Sequence, residues 1–419
     1  MRKLLFVQPL YSAKYIVEYL SKHFDITGLF VKDPRPLFAL NESMYHRCEL
    51  MFDEPDSKIL ARFREGDFDF VINGTDESEE IACKLANKIC PDLANEVDPR
   101  NRRWNKYESV EAIRAHGLDA PWQKCLHASE ILDGTVDPAQ LLFPCFVKPV
   151  NFFGGIGSGV CHSLADAREL IASTPRQVCG LELGEVLFQE ILRGDEYALD
   201  CFSWQGQHEL AFLARYVKHS TEGGRTYYRS IEPIPASDDL YRRIFDYTRS
   251  VLDAVGLKFG FSHIEIFHDP SPTHVSHSPS GVEESQGKIS LVEINPRASG
   301  LSGQLMRCAK LFRNFNILDM LLEKVCQVPC ERSPSGLFVD MLTLYANGQR
   351  VLRETNLEAL QQIPSLAYHI RVRPADYVAT NDFTLADAVM FVTLANTSRE
   401  QLERDRDTMF ELERKQVLF

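Results

Sequence analysis

Two carboxylates and an amide stand at spacings that put them on one side of extended chain. Glu293 and Asn295 are two residues apart, as are His263 and Glu265, and in a strand residues i and i+2 point to the same face. Both pairs sit inside apolar runs (Phe261, Ile264, Ile266; Leu291, Val292, Ile294), where an unpaired carboxylate is costly. Glu265, Glu293 and Asn295 are thus candidate hard-oxygen ligands for a Mg²⁺ ion that holds substrate phosphates. The competing reading makes both glutamates exposed hairpin residues. Arg297, two beyond Asn295, is a planar fork suited to a phosphate or carboxylate. Upstream, Phe146-Val147-Lys148-Pro149 runs into a loop, Asn151 to Gly159, with four glycines. Glycines let backbone N–H groups approach phosphate oxygens while a lysine neutralises charge. No Gly-Lys-Ser/Thr closes the loop, so it is not a Walker motif. Taken alone, it also fits a structural hairpin turn. Lys106 near a helix start and the acidic block Gln189-Glu190 to Glu196-Tyr197 around a glycine turn complete the set. Arg215 to Glu232, with Lys218, His219, Arg225, Tyr227 and Arg229, reads equally as a mobile lid reaching a γ-phosphate or as an exposed charged loop.

These residues need elements to hold them. Leu4 to Val7 reads as a buried strand and Ala13 to His23 as a helix, followed by strands at Ile26 to Val31 and Phe68 to Asn73. Helix Ser78 to Ile89 stops before Pro91. Strand–helix alternation at this spacing implies a parallel sheet with helices on both faces. The first turn, Gln8-Pro9-Leu10-Tyr11, lacks the glycines of a dinucleotide fingerprint. A second unit opens with a helix over Asn105 to Gly117. Strands at 143–149, 186–190 and 197–204, a helix at 241–255, and strands at 261–267 and 289–294 follow. The Ser/Pro/Gly/His-rich stretch 269–288 reads as a mobile surface loop, and its neighbouring histidines (His268, His274, His277) as solvated rather than metal-binding. Residues from 336 form a mixed tail that closes with a charged helix from Ser398 to about Lys415.

The 419 residues are 44% hydrophobic and 25% charged, enough for a sizeable core. Lys plus Arg is 46 against 59 Asp plus Glu, a net charge of −13. That sign argues against non-specific binding to nucleic acid or an anionic membrane. The 11 cysteines include no Cys-x-x-Cys pair and read as reduced thiols. The apolar run after Met1-Arg2-Lys3 is too short for a signal peptide, and no stretch is long enough for a membrane span, so the expectation is a soluble cytoplasmic protein.

In motif order the chain resembles the ATP-grasp superfamily over roughly residues 100 to 335. The resemblance rests on Phe146-Val-Lys148-Pro with its glycine loop, Glu190 with Glu196, and Glu293-Ile-Asn-Pro-Arg297. Within it the chain looks most like the L-amino-acid ligases, which join two amino acids into a dipeptide. Ile72-Asn-Gly-Thr-Asp76-Glu-Ser78 with the following helix resembles their first domain. Phe383-Thr-Leu-Ala-Asp-Ala and Asn396 to Leu402 loosely resemble their C-terminal subdomain. The implied fold is α/β (α+β): a Rossmann-like parallel-sheet domain (1–115), a lid subdomain with the glycine loop (116–187), a catalytic subdomain (188–335) and a mixed-sheet C-terminal subdomain (336–419). The implied activity is ATP-dependent ligation through an acyl phosphate, releasing ADP and phosphate. The alternative is a purine-pathway or carboxylase-type ligase, and a third reading is a nucleotide-binding module without turnover. Carried over by residue, Lys106 and Lys148 hold the α- and β-phosphates of ATP beneath Gly154, Gly155, Gly157 and Ser158. Gln189, Glu190, Ile191 and Leu192 meet adenine, Glu196 meets the ribose, and His263 joins the cofactor-binding group. Glu265, Glu293 and Asn295 coordinate Mg²⁺ (or Mn²⁺), while Arg297, Lys218 and Arg225 steady the transferred phosphoryl group. The implied partners are small molecules, ATP and amino acids, with a homodimer compatible with the resemblance.

Overall fold

The computed structural model describes residues 1–35, 40–178, 181–220, 226–271, 287–346, 348, 350–379 and 387–419. The N-terminal strands β1 (Arg2–Val7), β2 (Phe24–Phe30), β3 (Arg47–Leu50) and β4 (Phe70–Asn73) form a parallel sheet in the order β3-β2-β1-β4. Helices α1 (Ala13–Leu20), α2 (Asp56–Ala61) and α3 (Glu79–Ile89) complete this unit. Leu4 and Phe6 pack with Ile16 and Leu20 on one side of β1. Leu5 and Val7 pack with Ile81, Leu85 and Ile89 on the other. Alternating apolar residues thus serve two helical layers, which is why β1 reads as a continuous hydrophobic run. Ala13 to His23 was expected as one helix, but α1 ends at Leu20. β3 and α2 escaped the sequence pattern, since Arg47-Cys-Glu-Leu50 is an edge strand with no β-branched residue.

Helix α4 (Lys106–Ala115) leads into a second sheet, β5 (Gln123–His127), β6 (Cys145–Pro149), β7 (Gly159–Cys161) and β10 (Glu185–Gln189), ordered β5-β10-β6-β7. Helices α5 (Ala128–Asp133) and α6 (Leu164–Ser173) cover it, burying Ile131, Ala167 and Ile171 against Val147, Val186 and Phe188. A two-residue ladder, β8 (Gln177–Val178) with β9 (Leu181–Glu182), precedes β10.

The largest sheet collects β11 (Asp195–Trp204), β12 (Gln207–Ser220), β13 (Thr226–Pro233), β14 (Gly260–Asp269), β15 (Lys288–Asn295), β16 (Phe338–Tyr345), β18 (Leu366–Arg371) and β20 (Ala388–Asn396). Their order is β15-β14-β11-β12-β13-β16-β20-β18. One face packs on helix α7 (Asp239–Ala254), whose Tyr241, Ile244, Val251 and Leu252 meet Leu199, Leu213, Ile264 and Leu291. The sheet passes without a break from β13 to β16, so residues beyond 336 extend the same sheet. Helix α11 (Arg399–Arg414) docks on it through a buried ion pair: Arg229 and Glu413 face each other, Arg229 stacks on Phe410 at 3.7 Å, and the Tyr345 amide donates to Glu413 (2.6 Å). Arg215 to Glu232, weighed above as lid or loop, consists of the facing ends of β12 and β13 on either side of residues 221–225, which include Arg225 and lie outside the described residues. Lys218 is paired across the strands with Tyr228, and both side chains reach Glu196.

A carboxyl group near this junction has a measurable consequence. Burial pushes Asp340 on β16 up to about 7, Arg406 opposing and Glu232 adding to the rise. Folded protein therefore retains a proton that unfolded chain releases, and the stability this group contributes is lost as pH rises from about 4 to about 7. In urea melts across that window, Asp340→Asn is expected to gain stability relative to wild type as pH increases. Parallel pH profiles for the two proteins would remove this assignment.

Candidate active site

Asn105 caps α4, its side chain accepting from the Tyr107 and Glu108 amides (3.0 and 3.1 Å). That places Lys106 in the first turn, where the helix dipole disfavours a cation. Its surroundings explain it: Lys106 Nζ lies 3.3 Å from Glu293 Oε2 and donates to the Phe152 carbonyl (2.8 Å) at the start of the glycine loop. Lys148, on β6, reaches across to the large sheet and donates to the Val292 carbonyl (3.3 Å). Burial, with Lys106 close by, lowers Lys148 to about 8 against the pull of Glu293, Glu265 and Glu196. Between β6 and β7, Gly154, Gly155 and Gly157 adopt φ of 63°, 74° and 69°. This is the left-handed region that glycine enters without a Cβ penalty; a Cβ on Gly157 would lie 2.6 Å from Thr174. Ser158 closes the turn through its amide to the Gly155 carbonyl (3.2 Å).

The opposing wall is the large sheet. Glu265 on β14 and Glu293 on β15 are cross-strand partners, as are His263 and Asn295, so these side chains share one face. Burial alone would raise Glu293, but Lys106 and Lys148 outweigh it and hold the carboxyl well below its ordinary range. Asn295 donates to Glu293 Oε1 (3.3 Å) and to the His263 carbonyl (3.3 Å). Glu265 accepts from the Tyr216 hydroxyl (3.3 Å). His263 is buried, its Nδ1 2.9 Å from Asp200 Oδ1 and its Nε2 3.6 Å from Glu265 Oε1. Burial would lower this imidazole, but Asp200 and Glu265 raise it to about 9. Glu196, on β11, pairs with Lys218 of β12, and the Tyr228 hydroxyl is 3.5 Å from its other oxygen. Burial, with Glu265 and Glu293 adding, raises Glu196 despite Lys218.

Arg297 is pinned from several sides. It donates to Asp76 Oδ2 (3.0 Å), Asn295 Oδ1 (3.2 Å) and the Ala298 carbonyl (3.1 Å), and its guanidinium lies 4.9 Å from the Tyr11 ring centre. Tyr11 meets Phe153 of the glycine loop edge-on at 6.2 Å. Two loops at the edge of the N-terminal unit, after β1 and after β4, thus contribute Tyr11 and Asp76 to the wall. Arg297 Nε, Asp76 Oδ1 and Gln189 Nε2 are among the buried polar atoms of the described residues that have no hydrogen-bond partner. Buried polar atoms of this kind call for a further polar partner. Glu190 accepts from the Trp122 amide (3.1 Å) and pairs with Lys288 (3.0 Å), while Ile191 is 36% exposed beside it.

Lys106, Lys148, Glu293, Asn295 and Arg297 therefore come together where the second sheet faces β15, with Glu265 and His263 beside them on β14; Arg225 lies outside the described residues. Sequence reasoning missed Asp200, Tyr216, Tyr228 and Ser299, and gave Tyr11 no part. Asp200 carried a signal, a lone acid in the apolar run Ala198-Leu-Asp-Cys-Phe202. Among the described residues no group of three or more His, Cys, Asp or Glu is arranged to hold a metal ion. Two paired carboxylates, with Asn295 beside them, nevertheless match the donor set for Mg²⁺, which is usually bound by one or two carboxylates with phosphate oxygens and water completing its shell. Among the described residues no helix is long and apolar enough to cross a membrane.

No family model matches the sequence. Among curated proteins it is 24% identical over 239 residues to the carbamoyl phosphate synthase large chain of Clostridium botulinum, covering 55% of this chain and 20% of that protein. It is 23% identical to dapdiamide A synthase of Enterobacter agglomerans, covering 56% of this chain and 55% of that one. The matches thus span about half or less of these relatives. The structure aligns with that of the L-amino acid ligase from Bacillus licheniformis at a TM-score of 0.74, over 98% of this chain and 97% of that one, with 16% identity. It also aligns with an ATP-bound carboxyaminoimidazole ribonucleotide synthase from Aspergillus clavatus at 0.67, over 99% and 98%, with 13% identity.

Proposed function

Because the chain has the ATP-grasp fold, we propose that it is an ATP-dependent carboxylate–amine ligase that joins two L-amino acids and releases ADP and phosphate. The observation that carries this reading is the convergence of Lys106 and Lys148 on the Glu293 strand, 3.3 Å from Glu293 Oε2 and from the Val292 carbonyl. Two ammonium groups opposite two carboxylates suit a polyphosphate on one side and its divalent counter-ion on the other. Lys106, Lys148 and the amides of the 154–158 loop bind the α- and β-phosphates, and Gln189 to Leu192 line the adenine with Glu196 at the ribose. Glu265, Glu293 and Asn295 would hold Mg²⁺, which when bound neutralises charge on the phosphates.

A substrate carboxylate attacks the γ-phosphorus, the bond from that phosphorus to the bridging oxygen breaks, and ADP leaves. Arg297 steadies the phosphoryl group in transit, held in orientation by Asp76 and Tyr11; Lys218 lies on the same sheet face, and Arg225 belongs with it in this reading. An amine then attacks the acyl phosphate carbon, expelling phosphate and leaving an amide. Phosphoryl transfer of this kind is mainly positioning and charge neutralisation. An acceptor without its own phosphate is favoured by the turn between β1 and α1. Pro9 there has no N–H to offer, and the Tyr11 ring occupies the face of Arg297.

The test is phosphate release from Mg²⁺-ATP across a grid of paired free amino acids with mass detection. A product equal to the pair less water, together with ADP, is expected, and hydroxylamine should trap the acyl phosphate as a hydroxamate. Formation of AMP and pyrophosphate would overturn the acyl-phosphate route. Turnover with bicarbonate or a phosphoribosyl amine, and none with amino acids, would move the chain to the purine-type ligases.

A further inference from the structure

We infer that Asp200 is a positioning residue for the carboxylates that bind the divalent ion, acting through His263 on one side and Ser299 on the other; the inference rests on the metal site proposed above. Asp200 is 1% exposed. A carboxylate in that setting persists only when its oxygens are satisfied. Its two oxygens are used in two directions: Oδ1 is 2.9 Å from His263 Nδ1, and Oδ2 accepts from the Ser299 hydroxyl (2.8 Å). Ser299 and His263 are themselves buried. With Nδ1–H committed to Asp200, the ring orientation is fixed and Nε2 is the atom presented to Glu265 Oε1, 3.6 Å away. Ser299 lies two residues beyond Arg297, in the loop leaving β15. One buried anion on β11 therefore ties a metal-site acid on β14 to the loop that carries the phosphoryl-steadying arginine.

The strands are irregular where this network forms. The β11–β12 register shifts between Asp200 and Cys201, and the β14–β15 register shifts between Glu265 and Ile266. Bulges re-aim side chains out of the regular alternation, and here the two shifts fall at Asp200 and Glu265, the two acids that flank the His263 ring. A second layer of this kind fixes the geometry of the ligands it supports, and its loss costs roughly 10–100-fold in metal affinity.

The experiment measures Mn²⁺ binding by electron paramagnetic resonance, with a non-hydrolysable ATP analogue present, for wild type, Asp200→Asn, Asp200→Ala and Ser299→Ala. Asp200→Ala is expected to raise the Mn²⁺ dissociation constant roughly 10–100-fold. Asp200→Asn, which keeps an acceptor for the His263 ring, is expected to raise it less. Affinity for the nucleotide in EDTA should stay at the wild-type value in each, a separation that a general loss of structure would not give. Folded Asp200 variants with wild-type Mn²⁺ affinity would overturn the inference. If both fail to fold, Ser299→Ala decides: weaker Mn²⁺ binding supports the role and unchanged binding overturns it. Wild-type protein that binds no Mn²⁺ beside the nucleotide would overturn the proposed metal site itself.

Discussion

Glu293→Gln is expected to lower ADP formation at least about 10³-fold while the protein still folds. The expectation follows from what surrounds the side chain. Lys106 and Lys148 hold Glu293 in its charged form, and an isosteric amide leaves both ammonium groups facing a neutral partner. In the proposed metal site it also removes one of the two carboxylates that would ligate the ion, and a bound metal supplies several kcal/mol of charge stabilisation in such a transition state, at 1.36 kcal/mol per tenfold in rate. Circular dichroism and ADP release at saturating Mg²⁺ check the two halves of the expectation. Wild-type ADP formation in this variant would take Glu293 out of the metal set.

Lys148→Met is expected to weaken binding of a non-hydrolysable ATP analogue about 10- to 100-fold, the range for losing a charged hydrogen bond worth roughly 1.5–3 kcal/mol. Lys3→Met, at an exposed position on the far sheet, should change nothing. Methionine fills the volume of the buried stem, so lost affinity reports the ammonium rather than a cavity. Calorimetric titration measures both, and equal effects from the two substitutions would end the phosphate reading of Lys148.

The site was legible where its chemistry is local in sequence. Lys148 before its glycines, and Glu293 two residues from Asn295, could be found because strand periodicity alone fixes which side chains share a face. Lys106 was legible as a cation near a helix start; its contact with Glu293, 187 positions away, was not. The reason is that fold topology, not local pattern, brings α4 against β15. The strand pairing of β12 with β13 was not legible because these strands carry Lys218, His219 and Arg229, and charge in a run normally signals solvent. Here the cations answer buried acids, Lys218 to Glu196 and Arg229 to Glu413. Asp200 was passed over for the converse reason: one acid in an apolar strand has no partner until other strands are laid beside it. The four-residue β3 has almost no periodicity to read.

The uninterrupted run of the large sheet from β13 into β16 bears on how such a chain can be cut and recombined. A fragment ending at residue 335 would keep every residue assigned to ATP and metal, yet it would strip β13 of its outer neighbour and expose an open edge. It would also strand the Arg229 guanidinium, deprived of Glu413, beside the Tyr228 that touches Glu196. The cut would also bare Phe212, Tyr216 and Ile231, which cluster with Val339, Met341 and Tyr345, and a contiguous apolar patch opened in this way is an aggregation liability. The part proposed to bind nucleotide is therefore not a portable cassette: shuffling it into another chain demands that the C-terminal strands and helix travel with it.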